Sequence, residues 1–190
     1  MPPGSIQGTV TLPEGATPRR AVVFLEPNNS GPVALRDRVT LSVRGAHSHY
    51  ELLVVPQGQT VTITNDDRTA HSLFSVSSIK PMELGNLPAG ESRTVALDKP
   101  GNVDLFCAIH DAMQATIVVA PSSYTTHTNP QGGFVLMGIP GGRYRAVAYA
   151  PELGQASIAV EVKGGERSVI QLHIQHPGRA QRKGTPVQGK

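Results

Sequence analysis

The chain has 190 residues, of which 38% are apolar, 4% are aromatic and none is Trp, and its formal net charge is +3. Four basic residues and no acidic ones lie in the last fifteen positions, and the other 13 Lys and Arg residues are outnumbered by 14 acidic ones. A disordered basic tail over 177–190 therefore explains the charge better than a nucleic-acid partner does. No apolar run in the sequence approaches the length of a membrane span.

Short strands dominate the predicted secondary structure. Gly (20 residues) and Pro (16 residues) favour strands joined by turns over long helices. Turn signals such as "PEGA", "PQGQ" and "PGGR" separate runs that alternate apolar with polar residues or are rich in β-branched ones. The stretch "SIKPMELGNL" is predicted to be a loop with a turn of helix. In chain order, the predicted strands are "SIQGTVTL", "RAVVFLEP", "RVTLSV", "YELLVVP", "QTVTITN", "HSLFSV", "SRTVAL", "NVDLFC", "ATIVVA", "GGFVLMG", "YRAVAYA", "ASIAVEV" and "SVIQLHI".

Two segments are predicted to be linkers, residues 27–37 ("PNNSGPVALRD") and the stretch "APSSYTTHT" from residue 120. Residues 38–119 between them carry about seven predicted strands, enough for a β-sandwich. The two strands before the first linker cannot form a stable unit alone, so they are predicted to pair with the strands after the second linker. The predicted fold class is all-β, with a sandwich over 38–119 inserted into a second, discontinuous sandwich formed by 1–37 and 120–176.

The single cysteine lies in "DLFCAIHDAMQATIVV", residues 104–119. His110 follows Cys107 by three positions, and Met113 follows His110 by three, in the loop predicted between two strands. A thiolate, an imidazole and a thioether suit copper far better than magnesium or calcium, and a blue-copper site needs a second histidine beside them. The alternative is a buried cysteine followed by two surface loop residues.

His71 is the candidate for the second histidine. In "TITNDDRTAHSLFSV" it begins a predicted strand after a turn of Asn and Asp residues. A ligand so distant in sequence is what a site between two sheets requires, with one strand supplying a histidine and the loop supplying the other ligands. The candidate metal ligands are therefore His71, Cys107, His110 and Met113, and the candidate cofactor is one copper ion.

The central segment resembles a cupredoxin of the plastocyanin, pseudoazurin and amicyanin group. The matching residues run from "VVPQGQTVTITNDDRTAHSLFSV" through "LPAGESRTVALDKPGNVDLFCAIHDAM" to "QATIVV", with Pro56, Gly58 and Asn65 among them. The resemblance implies a Greek-key sandwich and a type 1 copper site with the ligand order His, Cys, His, Met. Two positions depart from the family pattern, because Ser72 stands where Asn is frequent and Ile109 where Pro is frequent.

The same resemblance implies a carrier of single electrons rather than an enzyme, working outside the cytoplasm. Cys107 is expected to give the main electron pathway, Met113 a weak axial bond, and His110 the route to solvent. The expected partner is a redox protein such as a cytochrome c or an oxidoreductase. The expected compartment is the periplasm, with a leader absent from this sequence. The docking patch is predicted to consist of Pro81, Met82, Leu84, Ala108 and Ala112.

Other functions stay open on the sequence alone. A copper chaperone or store with a cupredoxin fold could use the same ligands, although such proteins more often carry exposed Met and His clusters and this chain has four Met. A structural module with a degenerate copper site is disfavoured, because all four ligands are in register. His47 and His49 form a His-x-His pair, for which water-facing positions on a strand edge are expected rather than a second metal site.

The flanking strands resemble a carboxypeptidase regulatory-like domain, which is a small transthyretin-like β-sandwich. Its Thr-x-x-x-Gly-x-Phe and Pro-x-Gly-x-Tyr turns are loosely matched at Thr128 to Phe134 and at Pro140 to Tyr144. The combination resembles bacterial proteins labelled plastocyanin-like or methylamine-utilisation proteins. This part carries no motif with a catalytic mechanism, so a structural or docking role is expected for it.

Overall fold

The computed structural model describes residues 2–14, 16, 21–28, 33–44, 50–110 and 113–175. In these ranges the chain forms fifteen β-strands and no helix. A search of the same residues accordingly finds no helical segment suited to crossing a bilayer. The strands are β1 (Gly4–Thr11), β2 (Val22–Pro27), β3 (Thr40–Val43), β4 (Tyr50–Pro56), β5 (Gln59–Asn65), β6 (His71–Ser75), β7 (Met82–Leu87), β8 (Ser92–Leu97), β9 (Gly101–Cys107), β10 (Gln114–Ala120), β11 (Thr125–His127), β12 (Gly133–Ile139), β13 (Gly142–Ala150), β14 (Gly154–Val162) and β15 (Arg167–His173).

Strands β3 to β10 form one sandwich, called here the central sandwich. A five-stranded sheet of order β4-β10-β9-β6-β7 faces a three-stranded sheet of order β3-β5-β8. Alternation along each strand sends every second side chain into the space between the sheets. On β9 these are Val103, Leu105 and Cys107, and they join a core built mainly from Val, Leu and Ile. The cysteine is therefore the last inward position of its strand.

The remaining strands form a second sandwich, called here the terminal sandwich. Its sheets have the orders β12-β1-β15 and β11-β2-β13-β14, so strands from the start of the chain pair with strands from its end. β1 runs antiparallel to β12 and parallel to β15. Gly8 on β1 permits a close approach, since a Cβ there would lie 2.4 Å from the carbonyl oxygen of Ile170 and 2.7 Å from the ring of Phe134.

A third apolar cluster joins the two sandwiches. It contains Val22 and Phe24 from β2, Val147 from β13, and Val54 and Val118 from β4 and β10. The outer face of the five-stranded sheet is thus packed against the outer face of the β11-β2-β13-β14 sheet. Strands β2 and β10 bury both of their faces, because their alternate residues enter different clusters.

Polar contacts join the same two bodies where the chain passes from one to the other. The backbone N–H of Ala34 donates to Oγ of Ser123 at 2.6 Å, so the segment that leaves the terminal sandwich lies beside the segment that returns to it. The guanidinium of Arg36 donates to Oγ1 of Thr125 at 2.6 Å and to the carbonyl oxygen of Val54 at 3.4 Å. The two chain segments that connect the sandwiches are therefore hydrogen-bonded to each other.

The structure confirms the all-β class and corrects two strand predictions. The region predicted as a loop with a helical turn contains β7, which pairs with β6 through a bulge between Leu73 and Phe74. The predicted linker after residue 120 contains β11, which pairs with β2. Both strands depend on pairing with a neighbour, since "MELGNL" contains residues that disfavour strands and "TTH" is only three residues long.

The division into 38–119 and 1–37 with 120–176 stays a prediction. It is supported by the pairing of terminal strands with one another and by the two separate sandwich cores. The resemblance of the flanking strands to a carboxypeptidase regulatory-like domain likewise stays a prediction. The predicted tail 177–190 and the pair His47 and His49 lie outside the described residues.

Replacement of Phe24 by Ala is expected to lower the free energy of unfolding by about 3–5 kcal/mol, because it opens a cavity between the two sandwiches. Denaturation in urea would measure the loss. Val135→Ala on β12 is the control, since Val135 is 51% exposed and its truncation should cost less than about 0.5 kcal/mol. Equal stability of the two variants would contradict the proposed importance of this contact.

Candidate metal centre

Three strand ends meet at one end of the central sandwich. β6 begins at His71, β9 ends at Cys107, and β10 begins directly after Met113. Leu73 of β6 pairs with Cys107 of β9, so the start of β6 lies beside the turn that leaves β9. The antiparallel pairing of β9 with β10 folds that turn back over the same place.

The side chains of His71, Cys107 and His110 converge there. The Nδ1 atom of His71 is 3.7 Å from the Sγ atom of Cys107, and the Nδ1 atom of His110 is 3.6 Å from the same sulfur. The two Nδ1 atoms are 3.2 Å apart. Within the described part of the chain, these are the His, Cys, Asp and Glu side chains grouped closely enough to share a metal ion.

The spacing of the three atoms fits an ion. The point equidistant from them lies about 2 Å from each, close to the ~2.0–2.3 Å bonds that zinc makes with His nitrogen and Cys sulfur. One thiolate and two imidazoles are also the donor set of a trigonal copper site. The arrangement of the side chains therefore suits a transition-metal ion without rearrangement.

The group is closed toward the core and open at one edge. His71 is completely buried, and Cys107 and Met113 are only 6% and 5% exposed. The N–H of Met113 donates to the carbonyl oxygen of His110 at 3.1 Å, which turns the chain so that the methionine enters the same core as the cysteine. His110 is partly exposed, and Ile109 beside it is 57% exposed. The exposed edge of the group is therefore at His110.

Backbone hydrogen bonds join the two segments that carry the candidate ligands. The N–H of Ser72 donates to the Sγ atom of Cys107 at 3.4 Å, and the N–H of Ala108 donates to the carbonyl oxygen of Ser72 at 2.8 Å. Both bonds use backbone atoms of Ser72. The two segments therefore stay connected although Ser stands at a position where Asn is frequent in the family that the segment resembles.

Asn65 organises the loop that leads to His71. Its side chain is fully buried, and its Nδ2 atom donates to the carbonyl oxygens of Thr69 and Leu87, both at 2.8 Å. Its Oδ1 atom accepts the N–H of Asp67 at 3.0 Å. One amide therefore ties the loop to itself and to the end of β7. The sequence resemblance includes Asn65 only as part of a pattern. Its inward position at the end of the alternating strand "QTVTITN", shortly before a candidate ligand, is the signal that points to its role.

The protonation of His71 favours metal binding. Burial lowers the pKa of His71, and the neighbouring His110 lowers the pKa further, whereas Asp67 acts in the opposite direction. A lowered pKa leaves the imidazole neutral at pH 7, which is the form that binds a metal ion. Within the described part of the chain the Nε2 atom makes no hydrogen bond, and Oδ2 of Asp67 lies 3.4 Å from it.

The structure corrects the predicted docking patch at Met82. Met82 pairs with Ser75, at the end of β6 away from His71. Met82 and Leu84 are partly buried against the central core, and the assignment of Pro81 and Leu84 to the patch stays a prediction. The position of Met82 follows from β7, the strand that the sequence analysis took for a loop.

The surface beside His110 has a different apolar residue. Ile109 is exposed there, together with Ala108, which the sequence analysis did assign to this edge. The place of Ile109 inside the turn between Cys107 and His110 could have identified it. Ala112, which was assigned to the same patch, lies outside the described residues.

Other histidines serve different contacts. His127 donates through Nε2 to the carbonyl oxygen of Leu52 at 2.9 Å, which links β11 to β4 across the junction of the sandwiches. His173 is exposed on β15. Neither lies with the group formed by His71, Cys107 and His110.

Comparison with known proteins gives similar structures but no matching family model. No protein-family model matches the sequence, and a search of curated proteins finds no match. Among solved structures, a purple cupredoxin from Nitrosopumilus maritimus is similar at 26% identity over 36% of this chain and 76% of its own, with a TM-score of 0.34. Amicyanin from Paracoccus versutus is similar at 18% identity over 50% of this chain and 96% of its own, with a TM-score of 0.39. An oxidized amicyanin variant is similar at 16% identity over 50% and 98%, with a TM-score of 0.40.

Replacement of Asn65 by Ala is expected to destabilise the metal-free protein by about 1–3 kcal/mol, because buried carbonyl groups lose their donor. The same variant should bind copper more weakly, since the loop that positions His71 is loosened. Urea denaturation and a copper titration would measure the two effects. The control is Asn86→Ala, at an exposed position of β7, which should change stability by less than about 0.5 kcal/mol. A stable Asn65 variant would show that the amide is not needed.

Proposed function

We propose that this chain is a type 1 copper protein that carries single electrons, with His71, Cys107, His110 and Met113 as the ligands. The observation that supports the proposal most directly is the convergence of two Nδ1 atoms and one sulfur within 3.2–3.7 Å of one another. The burial of Met113 in the same core supports its assignment as the weak fourth ligand.

The chemistry of the donors favours copper over the other common metals. Thiolate and thioether are soft ligands that suit copper and zinc, whereas magnesium and calcium prefer oxygen. Two imidazoles and one thiolate with a distant thioether are the usual compromise between Cu(I) and Cu(II). When bound, copper would supply a one-electron redox couple, and the protein would keep the ligands in nearly the same place in both states.

The residues around the group suit transfer rather than substrate chemistry. His71, Cys107 and Met113 are buried, so the copper would be shielded from solvent on three sides. His110 is the ligand that reaches the surface, and the exposed Ala108 and Ile109 give that surface an apolar character. A small apolar contact of this kind fits the brief encounters of electron-transfer proteins. The expected partner is a redox protein such as a cytochrome c or an oxidoreductase, and no catalytic step is assigned to this chain.

Periplasmic placement belongs to the same proposal. It is supported by the resemblance of the central segment to periplasmic and other extracytoplasmic carriers, and by the oxidising chemistry that a copper–thiolate pair brings with it. Fractionation of host cells that express the gene would test this placement. Recovery of the protein in the periplasmic fraction is expected, and recovery only in the cytoplasm would contradict it.

The visible spectrum of the Cu(II)-loaded protein tests the copper assignment. An intense absorption near ~600 nm, due to charge transfer from thiolate to copper, is expected for the wild type. Cys107→Ser and His110→Ala should each abolish or shift it, whereas the control His173→Ala, at an exposed position of β15, should leave it unchanged. A protein that binds copper tightly but stays pale would favour a chaperone or storage role, and preference for zinc would overturn the copper assignment.

The surface around His110 can be tested by electron self-exchange between reduced and oxidised copies of the protein. Ile109→Asp is expected to slow self-exchange by about tenfold or more, because it places a negative charge where two copies meet through His110. Val135→Asp is the matched control, since Val135 is also an exposed β-branched residue but lies on the terminal sandwich. NMR line broadening would give the rates. Equal slowing in both variants would mean that net charge, and not this surface, controls the encounter.

A further inference from the structure

The loop between β5 and β6 places an acidic side chain behind the buried histidine. His71 turns its Nδ1 atom toward Cys107 and His110, so Nε2 lies on the other side of the ring. Nε2 makes no hydrogen bond within the described residues, and Oδ2 of Asp67 lies 3.4 Å from it. This separation exceeds the about 2.7–3.2 Å of an ordinary N–H···O bond, but it is short enough for the carboxylate to act on the ring.

The carboxylate of Asp67 is held at this place by its own loop. The N–H of Asp67 donates to Oδ1 of Asn65 at 3.0 Å, and the N–H of Arg68 donates to Oδ1 of Asp67 at 2.7 Å. The first bond fixes the backbone, and the second fixes the carboxylate with Oδ2 on the side of His71. Asn65 is in turn anchored to the end of β7, so the placement of Asp67 depends on the fold of the whole sandwich end.

A carboxylate in this position changes what the histidine can do. A histidine that gives the lone pair of Nδ1 to a metal ion keeps its proton on Nε2. A negative charge near that proton fixes the orientation of the ring and raises the basicity of the ligating nitrogen. The side chain of Asp67 is only 22% exposed, so solvent screens its charge incompletely. The raised basicity and the nearby negative charge both favour Cu(II), the more highly charged state, over Cu(I).

We propose that Asp67 is a positioning residue that acts through Nε2 of His71 to hold the reduction potential of the copper site down, an inference that rests on the proposed function. Met113 as a weak axial ligand favours Cu(I), so the two residues act in opposite directions. The potential of bound copper would then depend on the balance between the thioether of Met113 and the carboxylate of Asp67.

The neighbouring Asp66 provides a matched control. Asp66 is exposed, and its Oδ2 atom pairs with Arg44 at 3.3 Å and accepts the hydroxyl of Ser42, away from His71. Asp66→Asn and Asp67→Asn remove the same charge from adjacent positions. The reduction potential of each full-length, copper-loaded variant would be measured by redox titration of its blue absorption.

We expect Asp67→Asn to lower the affinity for Cu(II) relative to that for Cu(I) by about tenfold, because the ligating histidine loses the carboxylate behind it. A tenfold shift corresponds to a rise in potential of about 59 mV. Asp66→Asn should change the potential far less. Asp67→Glu keeps the negative charge, so its potential should be close to the wild-type value. Melting temperatures of the metal-free variants should differ little, which separates tuning from simple destabilisation.

Two results would overturn the inference while leaving the proposed function intact: a blue Asp67→Asn variant with the wild-type potential, or equal rises in both Asn variants. A wild-type protein without blue colour would overturn the proposed function together with this inference. Should Asp67→Asn bind copper poorly, Asp67→Ser is the second variant, because its hydroxyl can still accept the N–H of Arg68. Its potential must then also rise for the inference to stand.

Discussion

The candidate metal centre depends on the packing of the central sandwich, whose five-stranded sheet is covered on its outer face at β4 and β10 as well as on its inner face. One face contacts the β3-β5-β8 sheet, and the other contacts the terminal sandwich through Phe24, Val54 and Val118. Protein interiors are packed as densely as organic crystals, so strands held in this way have little freedom to shift. β9 pairs with β10, and the pairing of Leu73 with Cys107 then sets the separation between the start of β6 and the end of β9.

Loop conformation supplies the rest of the geometry. The hydrogen bonds of Asn65 and of the Ser72 backbone hold the chain on either side of His71 and so restrict where its side chain can lie. The ring nitrogens and the sulfur are consequently close together before any ion is bound. In the proposed copper protein, ligands that are arranged in advance would need little rearrangement on each change of redox state.

Strand patterns in the sequence predict much of this fold, because alternation in "NVDLFC" and "QTVTITN" reports directly which side chains face a core. The unbroken apolar runs "AVVFL" and "ATIVVA" also carried a signal, since strands covered on both faces lose their alternation. β7 was missed because Glu83, Gly85 and Asn86 disfavour a strand, and pairing with β6 overrides their preferences. The order of Cys107, His110 and Met113 indicated a metal site, but the role of Asp67 depends on the direction of one carboxylate, which spacing alone does not determine.

The two chain segments that cross between the sandwiches have a mechanical consequence. Ala34 and Ser123 lie side by side, and Arg36 reaches both Thr125 and Val54. The terminal sandwich is attached by two adjacent connecting segments and by an apolar contact, so it cannot rotate as freely as a domain on one linker. Any surface that captures the terminal sandwich would therefore also set the direction in which His110 faces. Capture at one place would then raise the effective concentration of His110 toward a redox partner at another, and would do so in a single orientation.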